Sequence, residues 1–341
     1  MLSALYAAFA RRRREFYAAR PDLRRRLRRP VISVGNLAVG GRGKTPTVAF
    51  LARELLAMGE RPAILSRGYA RRRAEDGVVV VRDPYGIRAD VDRSGDEPLM
   101  LARQLPGASV LSSSDRYLAG RLAERHLGAT VHVLDDGFQH LQLDRDVDLV
   151  IVSGDDLDAD ARTLPGGRLR EPPDTLLAAD AVLAADERVL SLGPRPRHAP
   201  FEVFRMRRMM GAVQPAHAGS PHGDPEPSVR SYAIAGIAAP LEFFDGLRTA
   251  AHEIVGTKAF PDHYRYSRGD LDRVFGAART AGAARVLTTE KDYVRLLPFR
   301  PFPIPVGWVP LTMEPDPLPE FRRWLAGALA GARDLWPDPV D

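Results

Sequence analysis

The sequence predicts an α/β protein: a parallel sheet with helices on both faces, followed by a second, smaller α/β unit. Three observations carry this expectation. Short apolar, β-branched runs alternate with segments of helical period from residue 31 to residue 184. A glycine-rich loop ending in Gly-Lys-Thr joins the first such strand to its helix. The alternation resumes at residue 231, after a stretch rich in Pro, Gly, His and Asp.

The chain opens with MLSALYAAFARRRREFYAA, residues 1–19, in which Leu2, Leu5, Tyr6, Phe9, Phe16 and Tyr17 share one helical stripe, interrupted near Arg12 and Arg13. A basic amphipathic helix with aromatics on its apolar face suits a membrane interface. There each buried large side chain contributes up to ~1.5–3 kcal/mol, and each arginine near an anionic surface about 1 kcal/mol. The competing reading is a helix packed on its own domain, with its arginines solvated. Residues 1–30 hold ten arginines against Glu15 and Asp22. Such runs also serve nucleic-acid binding, but no recognisable nucleic-acid module follows, so no such partner is expected.

Val31-Ile32-Ser33-Val34 suits a buried strand. Glycines follow at 35, 40, 41 and 43, then Lys44 and Thr45; Val48, Leu51, Leu55 and Leu56 next fall on one helical face, which Gly59 ends. Strand, glycine-rich loop, Gly-Lys-Thr, helix is the phosphate-binding loop of nucleotide-hydrolysing and kinase folds. Backbone N–H groups must point inward at phosphate oxygens, and glycine lets the chain curl that tightly. Ala38, Val39, Gly40, Gly41, Arg42, Gly43, Lys44 and Thr45 are therefore the expected ATP-binding residues. Lys44 would reach the β- and γ-phosphates and Thr45 would hold Mg2+. Ala38 stands where the usual pattern has its first glycine.

Pro62 to Leu65 is a second strand, ending in Ser66-Arg67-Gly68-Tyr69; Val78 to Val81 is a hairpin strand before the turn at 83–86. Ser94-Gly95-Asp96-Glu97-Pro98 leads into a helix through Leu105. After the strand Ser109-Val110-Leu111, Ser114-Asp115-Arg116-Tyr117 starts a helix to about Leu127. The strand Val131 to Leu134 ends in Asp135-Asp136-Gly137-Phe138-Gln139-His140. Downstream of a phosphate loop, aspartate at the end of an apolar strand is where a carboxylate meets Mg2+, so Asp135 or Asp136 is the expected ligand beside Thr45. Asp-Asp-Gly is also good turn chemistry. Val147 to Val152 and Ala181 to Ala184 are further strands, separated by Leu164-Pro165-Gly166-Gly167-Arg168-Leu169-Arg170-Glu171-Pro172. These motifs mostly fall at strand carboxyl ends, where parallel sheets bind ligands.

The expected organisation is a nucleotide-binding domain over 1–205, a linker over 206–230 and a smaller α/β domain over 231–341. His217 and His222 fit solvated loop residues better than metal ligands. The second unit reads as strand Ser231 to Ile234, helix Leu241 to Ala251, the turn Phe260-Pro261-Asp262-His263-Tyr264, helix Asp270 to Ala281, strand Arg285 to Leu287 closed by residues 288–292, and a last helix Leu318 to Leu329. An apolar share of 45% supports well-formed cores. The chain has no cysteine, which excludes disulfides, a thiolate nucleophile and cysteine metal sites, and fits a reducing compartment. Net charge is +5 with pI near 9.7. No apolar run approaches the ~20 residues of a membrane span, and the N-terminal apolar part precedes its charges, unlike a signal peptide.

The pieces VISVGNLAVGGRGKTP, LSRGYARR, GDEP, SSDRY, LDDGFQH, LPGGRLREP, FPDHYRYS and TTEKDYVRL run from about residue 30 to 296. Together, and in this order, they resemble the tetraacyldisaccharide 4'-kinase family of lipid A biosynthesis. The resemblance implies ATP- and Mg2+-dependent phosphorylation of the 4' hydroxyl of a lipid disaccharide 1-phosphate, giving lipid IVA. It also implies two α/β/α domains and peripheral attachment at the cytoplasmic face of the inner membrane. Asp96 and His263 match the family's proton-accepting aspartate–histidine dyad. From the residues alone, Asp96 reads as a helix N-cap and His263 as a turn histidine. Tyr69, Glu97, Arg116, Gln139, His140 and Arg170 are the expected substrate-contacting residues; Arg116 and Arg170 have an alternative in ion pairs with Asp115 or Glu171. A monomer is expected. Ala238-Ala239 stands where the family usually has Gly-Asn before Pro240.

Two other functions fit a phosphate loop. One is a soluble kinase of cofactor biosynthesis, which the basic N-terminal helix speaks against. The other is a GTPase or ATPase of metal insertion or protein targeting. Such GTPases read guanine through Asn-Lys-x-Asp, and the nearest match, Thr289-Glu290-Lys291-Asp292, lacks the asparagine and the spacing.

Overall fold

The structure, a computed structural model, describes residues 1–40, 43–68, 71, 77–191, 201–215 and 229–334. Gly41, Arg42, Tyr69, His217 and His222 lie outside the described residues. Along the chain, α1 (Leu2–Ala18) precedes β1 (Val31–Asn36), α2 (Lys44–Ala57), β2 (Pro62–Ser66), the hairpin β3 (Val79–Asp83) and β4 (Gly86–Ile87), α3 (Val91–Ser94), α4 (Asp96–Gln104), β5 (Ser109–Ser112) and α5 (Arg116–His126). Next come β6 (Val131–Asp135), β7 (Val147–Val152), β8 (Ala181–Ala184), α6 (Glu187–Ser191), β9 (Glu202–Met210) and β10 (Gln214–Pro215). The remainder is β11 (Ser231–Ala235), α7 (Pro240–Thr249), β12 (Ile254–Ala259), α8 (Arg268–Thr280), β13 (Arg285–Thr289), α9 (Glu290–Leu296), β14 (Val306–Val309), β15 (Leu311–Asp316) and α10 (Leu318–Asp334).

Ten strands form one sheet in the order β15-β9-β8-β7-β1-β6-β2-β5-β3-β4. From β9 to β5 its neighbours run parallel. β1 lies between β6 and β7 and is buried along its whole length, which is why its sequence is a continuous apolar run rather than an alternation. Its side chains still alternate between faces. Ile32 and Val34 join the core under α2, α4 and α10, with Val48, Leu51, Leu101 and Phe321. Val31 joins the opposite core, with Ala119 and Ala123 of α5. The second sheet has five strands, β10-β14-β13-β11-β12, and its own core around Ile234, Val274, Phe275 and Tyr293.

The expected boundaries at 205, 230 and 231 are corrected by this topology. β9 runs straight across residue 205, and β10, inside the expected linker, pairs with β14. β15 returns to pair antiparallel with β9, and α10 buries Phe321, Leu325 and Leu329 in the larger core. The chain thus crosses between the two bodies twice, after β9 and after β14. β15 was hidden because Pro315 argues against a strand; it is an edge strand, where proline is tolerated. The residues expected to close the strand after Leu287 lead into helix α9, whose first turn Thr289 caps.

Candidate active site

The phosphate loop leaves β1 at Asn36 and enters α2 at Lys44. Gly43 caps α2 in a left-handed conformation (φ 81°), and only glycine adopts it without strain. Gly35 is required for a different reason: a Cβ there would stand 2.5 Å from Phe138 Cβ, so β1 and the loop after β6 touch backbone to side chain. Lys44 Nζ donates to Asn36 Oδ1 at 3.1 Å and lies 3.5 Å from Asp136 Oδ1. Thr45 is buried in the first turn of α2. Ala38 is fully buried, and the Val39 N–H is taken by the Arg168 carbonyl at 2.8 Å.

The two aspartates after β6 take different environments. Asp136 is held in the left-handed region (φ 56°). There it receives both terminal nitrogens of Arg170, at 2.8 and 2.7 Å. Burial opposes its ionisation, yet the Arg170 hydrogen bonds and the Lys44 charge hold it at about 2. Asp135 accepts a hydrogen bond from Ser66 at 3.2 Å. Burial, then the charges of Glu97 and Asp136, push its carboxyl well above the usual range. A buried carboxylate beside two others calls for a cation. The oxygens of Asp135 and Thr45 form a hard donor set that suits Mg2+, which is commonly held by one or two protein oxygens plus phosphate oxygens.

The dyad expected from the resemblance is assembled across the two bodies. His263 also sits in a left-handed turn (φ 55°), which aims its ring at α4. Its Nδ1 is 3.0 Å from Asp96 Oδ2, and its Nε2 is 3.1 Å from Lys291 Nζ. An ammonium only donates, so Nε2 accepts from Lys291 and the ring proton lies on Nδ1, donating to Asp96. Burial opposes the Lys291 charge, but Glu97, Asp96 and Asp262 outweigh it and raise its pKa. Asp96 is not the N-cap of α4; Gly95 is. Its Oδ1 accepts the Glu97 N–H at 2.9 Å, while Oδ2 also receives Arg295 Nε at 2.8 Å. Burial opposes ionisation of Asp96, but the His263 hydrogen bond, Lys291 and Arg295 hold its carboxyl below the usual carboxylate range.

Arg295 is itself fixed by Asp292, at 2.9 Å, and by the Gly236 carbonyl, at 2.8 Å. Asp292 in turn receives Tyr266 Oη and the Gly236 N–H, each at 2.9 Å. The stretch 289–292 is therefore the capped first turn of α9, with Asp292 fully inaccessible. Glu97 of α4 accepts from Lys291 of α9 at 2.9 Å, and its charge is among those that raise Asp135.

Other expected residues fall as follows. Arg116 is buried, donates to the Ser114 carbonyl at 3.3 Å and feels the charges of Asp135 and Asp136. Asp115 pairs with Arg25 instead. Burial and the Arg116 charge push His140 down to about 4, so it is a neutral imidazole at neutral pH. The Gln139 amide is spent on the Asn36 carbonyl, at 3.0 Å, and on Glu171, at 3.3 Å. Arg170 pairs with Asp136 rather than with Glu171, which belongs to Arg14. Sequence reasoning gave no role to Asn36, Arg295 or Tyr266, weighed Lys291 and Asp292 only as a poor guanine reader, and offered Glu171 only as an ion-pair partner for an arginine. For Lys291 and Arg295 a signal existed, since four-residue spacing places both on one face of a helix. Asn36 carried none, and nothing local marked Arg14 as the partner of Glu171.

The family described as Tetraacyldisaccharide-1-P 4'-kinase matches residues 1–330. A Tetraacyldisaccharide 4'-kinase of Geobacter metallireducens is 39% identical over 303 residues, covering 87% of this chain and 88% of that one. The enzyme of the same description from Geobacter sulfurreducens is 39% identical over 328 residues, covering 93% and 89%. A crystal structure of the "apo" form of LpxK from Aquifex aeolicus in complex with ATP superposes with a TM-score of 0.79 at 30% identity, covering 96% of this chain and 97% of that one.

Proposed function

The chain belongs to the tetraacyldisaccharide-1-phosphate 4'-kinase family, and from its geometry we propose how its own residues carry the reaction. It is a kinase of lipid A biosynthesis that uses ATP to phosphorylate the lipid A precursor at its 4' hydroxyl. The observation that carries the mechanism is the His263 ring held between Asp96 and Lys291, with Glu97 of the same α4 turn accepting from Lys291.

Lys44 and the loop amides bind the β- and γ-phosphates. Thr45 and Asp135 are the residues that would hold Mg2+, which supplies charge neutralisation on the transferring group. Asp136 is committed to Arg170 and Lys44, and orients that lysine. The substrate hydroxyl replaces Lys291 at His263 Nε2 and gives its proton there. The new O–P bond forms as the bond to the ADP leaving group breaks. Asp96 fixes the ring and stabilises the imidazolium. The two sheets act as two domains whose approach assembles the site. Arg116 and His140 face the substrate phosphate, His140 as a neutral N–H donor.

The enzyme works as a monomer, peripherally, at the cytoplasmic face of the inner membrane. Leu2, Leu5, Phe9 and Phe16 on α1 are all exposed. Among the described residues no helix is long and apolar enough to cross a membrane. The test of the phosphate-site assignment is incubation with ATP and a tetraacyldisaccharide 1-phosphate, read by mass spectrometry. Wild type adds one phosphoryl group. Lys44→Ala loses most turnover while staying folded; a variant keeping more than about a tenth of wild-type turnover overturns the assignment.

A further inference from the structure

The basic run of α1 divides by direction. Arg11 and Arg12 are exposed, whereas Arg13 and Arg14 turn inward onto the loop that follows β6. Arg13 Nη1 donates to the Gln139 carbonyl at 3.1 Å. Arg14 Nη2 donates to the Phe138 carbonyl at 3.2 Å and to Glu171 Oε2 at 2.7 Å. The Arg14 guanidinium also stands 4.2 Å from the Phe138 ring centroid. The Glu171 side chain is only 3% exposed, so its charge requires a partner, and Arg14 supplies it.

From Glu171 the contacts continue inward without a break. Gln139 Nε2 bridges Glu171 and the Asn36 carbonyl. The Asn36 side chain then receives Lys44 and Arg170, and Arg170 holds Asp136. Ser3 anchors the other end of the helix, accepting from Thr163 Oγ1 at 2.6 Å through its carbonyl and from the Gly166 N–H at 3.0 Å through its hydroxyl. The helix that exposes an apolar stripe outward thus rests its inner face on the two segments that carry Asp136 and Arg170.

We propose that Arg14 is a positioning residue for phosphoryl transfer, acting through Glu171 and Gln139 on Asn36 and Lys44, so that the surface helix is a structural part of the active site. This rests on the phosphate-site reading above. Two consequences distinguish it from simple attachment. Loss of Arg14 slows turnover on detergent-dispersed substrate, where no bilayer is present. It also leaves binding to anionic vesicles nearly unchanged, because Arg14 does not face outward.

The experiment compares Arg14→Met, Arg14→Lys and Glu171→Gln with Lys44→Ala, and with Arg248→Met as a distant control for loss of one exposed positive charge. Turnover is measured on substrate dispersed in detergent, together with melting temperature and flotation on phosphatidylglycerol vesicles. Supporting residues of this kind change activity by roughly 10–100-fold, so Arg14→Met is expected to lower kcat at least tenfold. Arg14→Lys recovers part of that loss, and the Arg14→Met/Glu171→Gln double variant is no worse than the poorer single one. Arg14→Met within twofold of wild type, or fully additive losses in the double variant, overturns the inference. If Arg14→Met does not fold, Glu171→Gln, which keeps volume and removes only charge, decides by the same kcat criterion. An inactive Lys44→Ala beside an unaffected Arg14→Met sinks this inference alone; an active Lys44→Ala sinks the phosphate-site reading.

Discussion

His263 Nδ1 lies 3.0 Å from Asp96 Oδ2, although the two residues are 167 positions apart, Asp96 at the start of α4 and His263 in the turn after β12. The same Asp96 oxygen also holds Arg295, at 2.7 Å from Nη2. Asp96 is thus a joint between the bodies as well as a partner of the histidine. A carboxylate so firmly paired with a guanidinium is a poor proton acceptor, which supports the acceptor role proposed for His263.

Asp135 and Asp136 are expected to separate by function. Asp135→Asn removes the buried carboxylate assigned with Thr45 to Mg2+ and should raise the Mg2+ concentration needed for half-maximal turnover at least tenfold. Asp136→Asn frees Arg170 and Lys44 and should chiefly weaken ATP binding. Mg2+ titrations at fixed ATP check this; equal Mg2+ requirements in the two variants would assign the metal to both. Chelation of divalent cations should abolish turnover in wild type.

The outer face of α1 carries its own prediction. Replacing Leu2, Leu5 and Phe9 with serine removes three exposed large side chains, which are 62–66% accessible, and should reduce flotation on anionic vesicles at least tenfold. Wild-type binding should weaken as salt rises, since part of the attraction is screened charge. Equal flotation of the two proteins would move the anchor elsewhere. Deleting residues 1–19 is not an equivalent test, because it also strips Glu171 of its Arg14 partner.

How much of this was legible in the sequence depended on distance along the chain. The phosphate loop and Asp135-Asp136 were legible because their chemistry lies in consecutive residues beside a recognisable strand. Asp96 and His263 became a pair only through the family resemblance; each alone has an ordinary structural role. Arg14, Asn36, Glu171 and Arg295 work through contacts between remote segments, which no local pattern encodes. The return of β15 to the larger sheet was hidden for the same reason, and Pro315 pointed the other way.

Glu290 opens α9 and faces Gln104 at the end of α4, so it sits where the two bodies meet. Burial, partly offset by the Gln104 hydrogen bond and by Arg53, pushes its carboxyl up to about 7. Between the ordinary carboxylate pKa and that value the folded state holds a proton the unfolded chain has released. The stabilisation is therefore complete below about pH 4.5 and lost as pH rises through about 7. At roughly 1.4 kcal/mol per pKa unit it amounts to about 3 kcal/mol at most. Glu290→Gln should remove this pH dependence and exceed wild type in stability at pH 8. Denaturant unfolding at pH 5 and pH 8 checks it; a parallel loss in both proteins would place the dependence on another group.

The most direct test of the account is a double-mutant cycle on kcat with Asp96→Asn and His263→Ala. General-base assistance is typically about 10²–10⁴-fold, and each single variant should lose that much. Groups acting as one proton-accepting unit do not add, so the double variant should be hardly worse than the poorer single one. ATP affinity should stay near wild type for His263→Ala, since His263 is assigned to the hydroxyl and not to the phosphates. Fully additive losses would contradict a shared unit and leave Asp96 as the Arg295-bound joint between the two bodies.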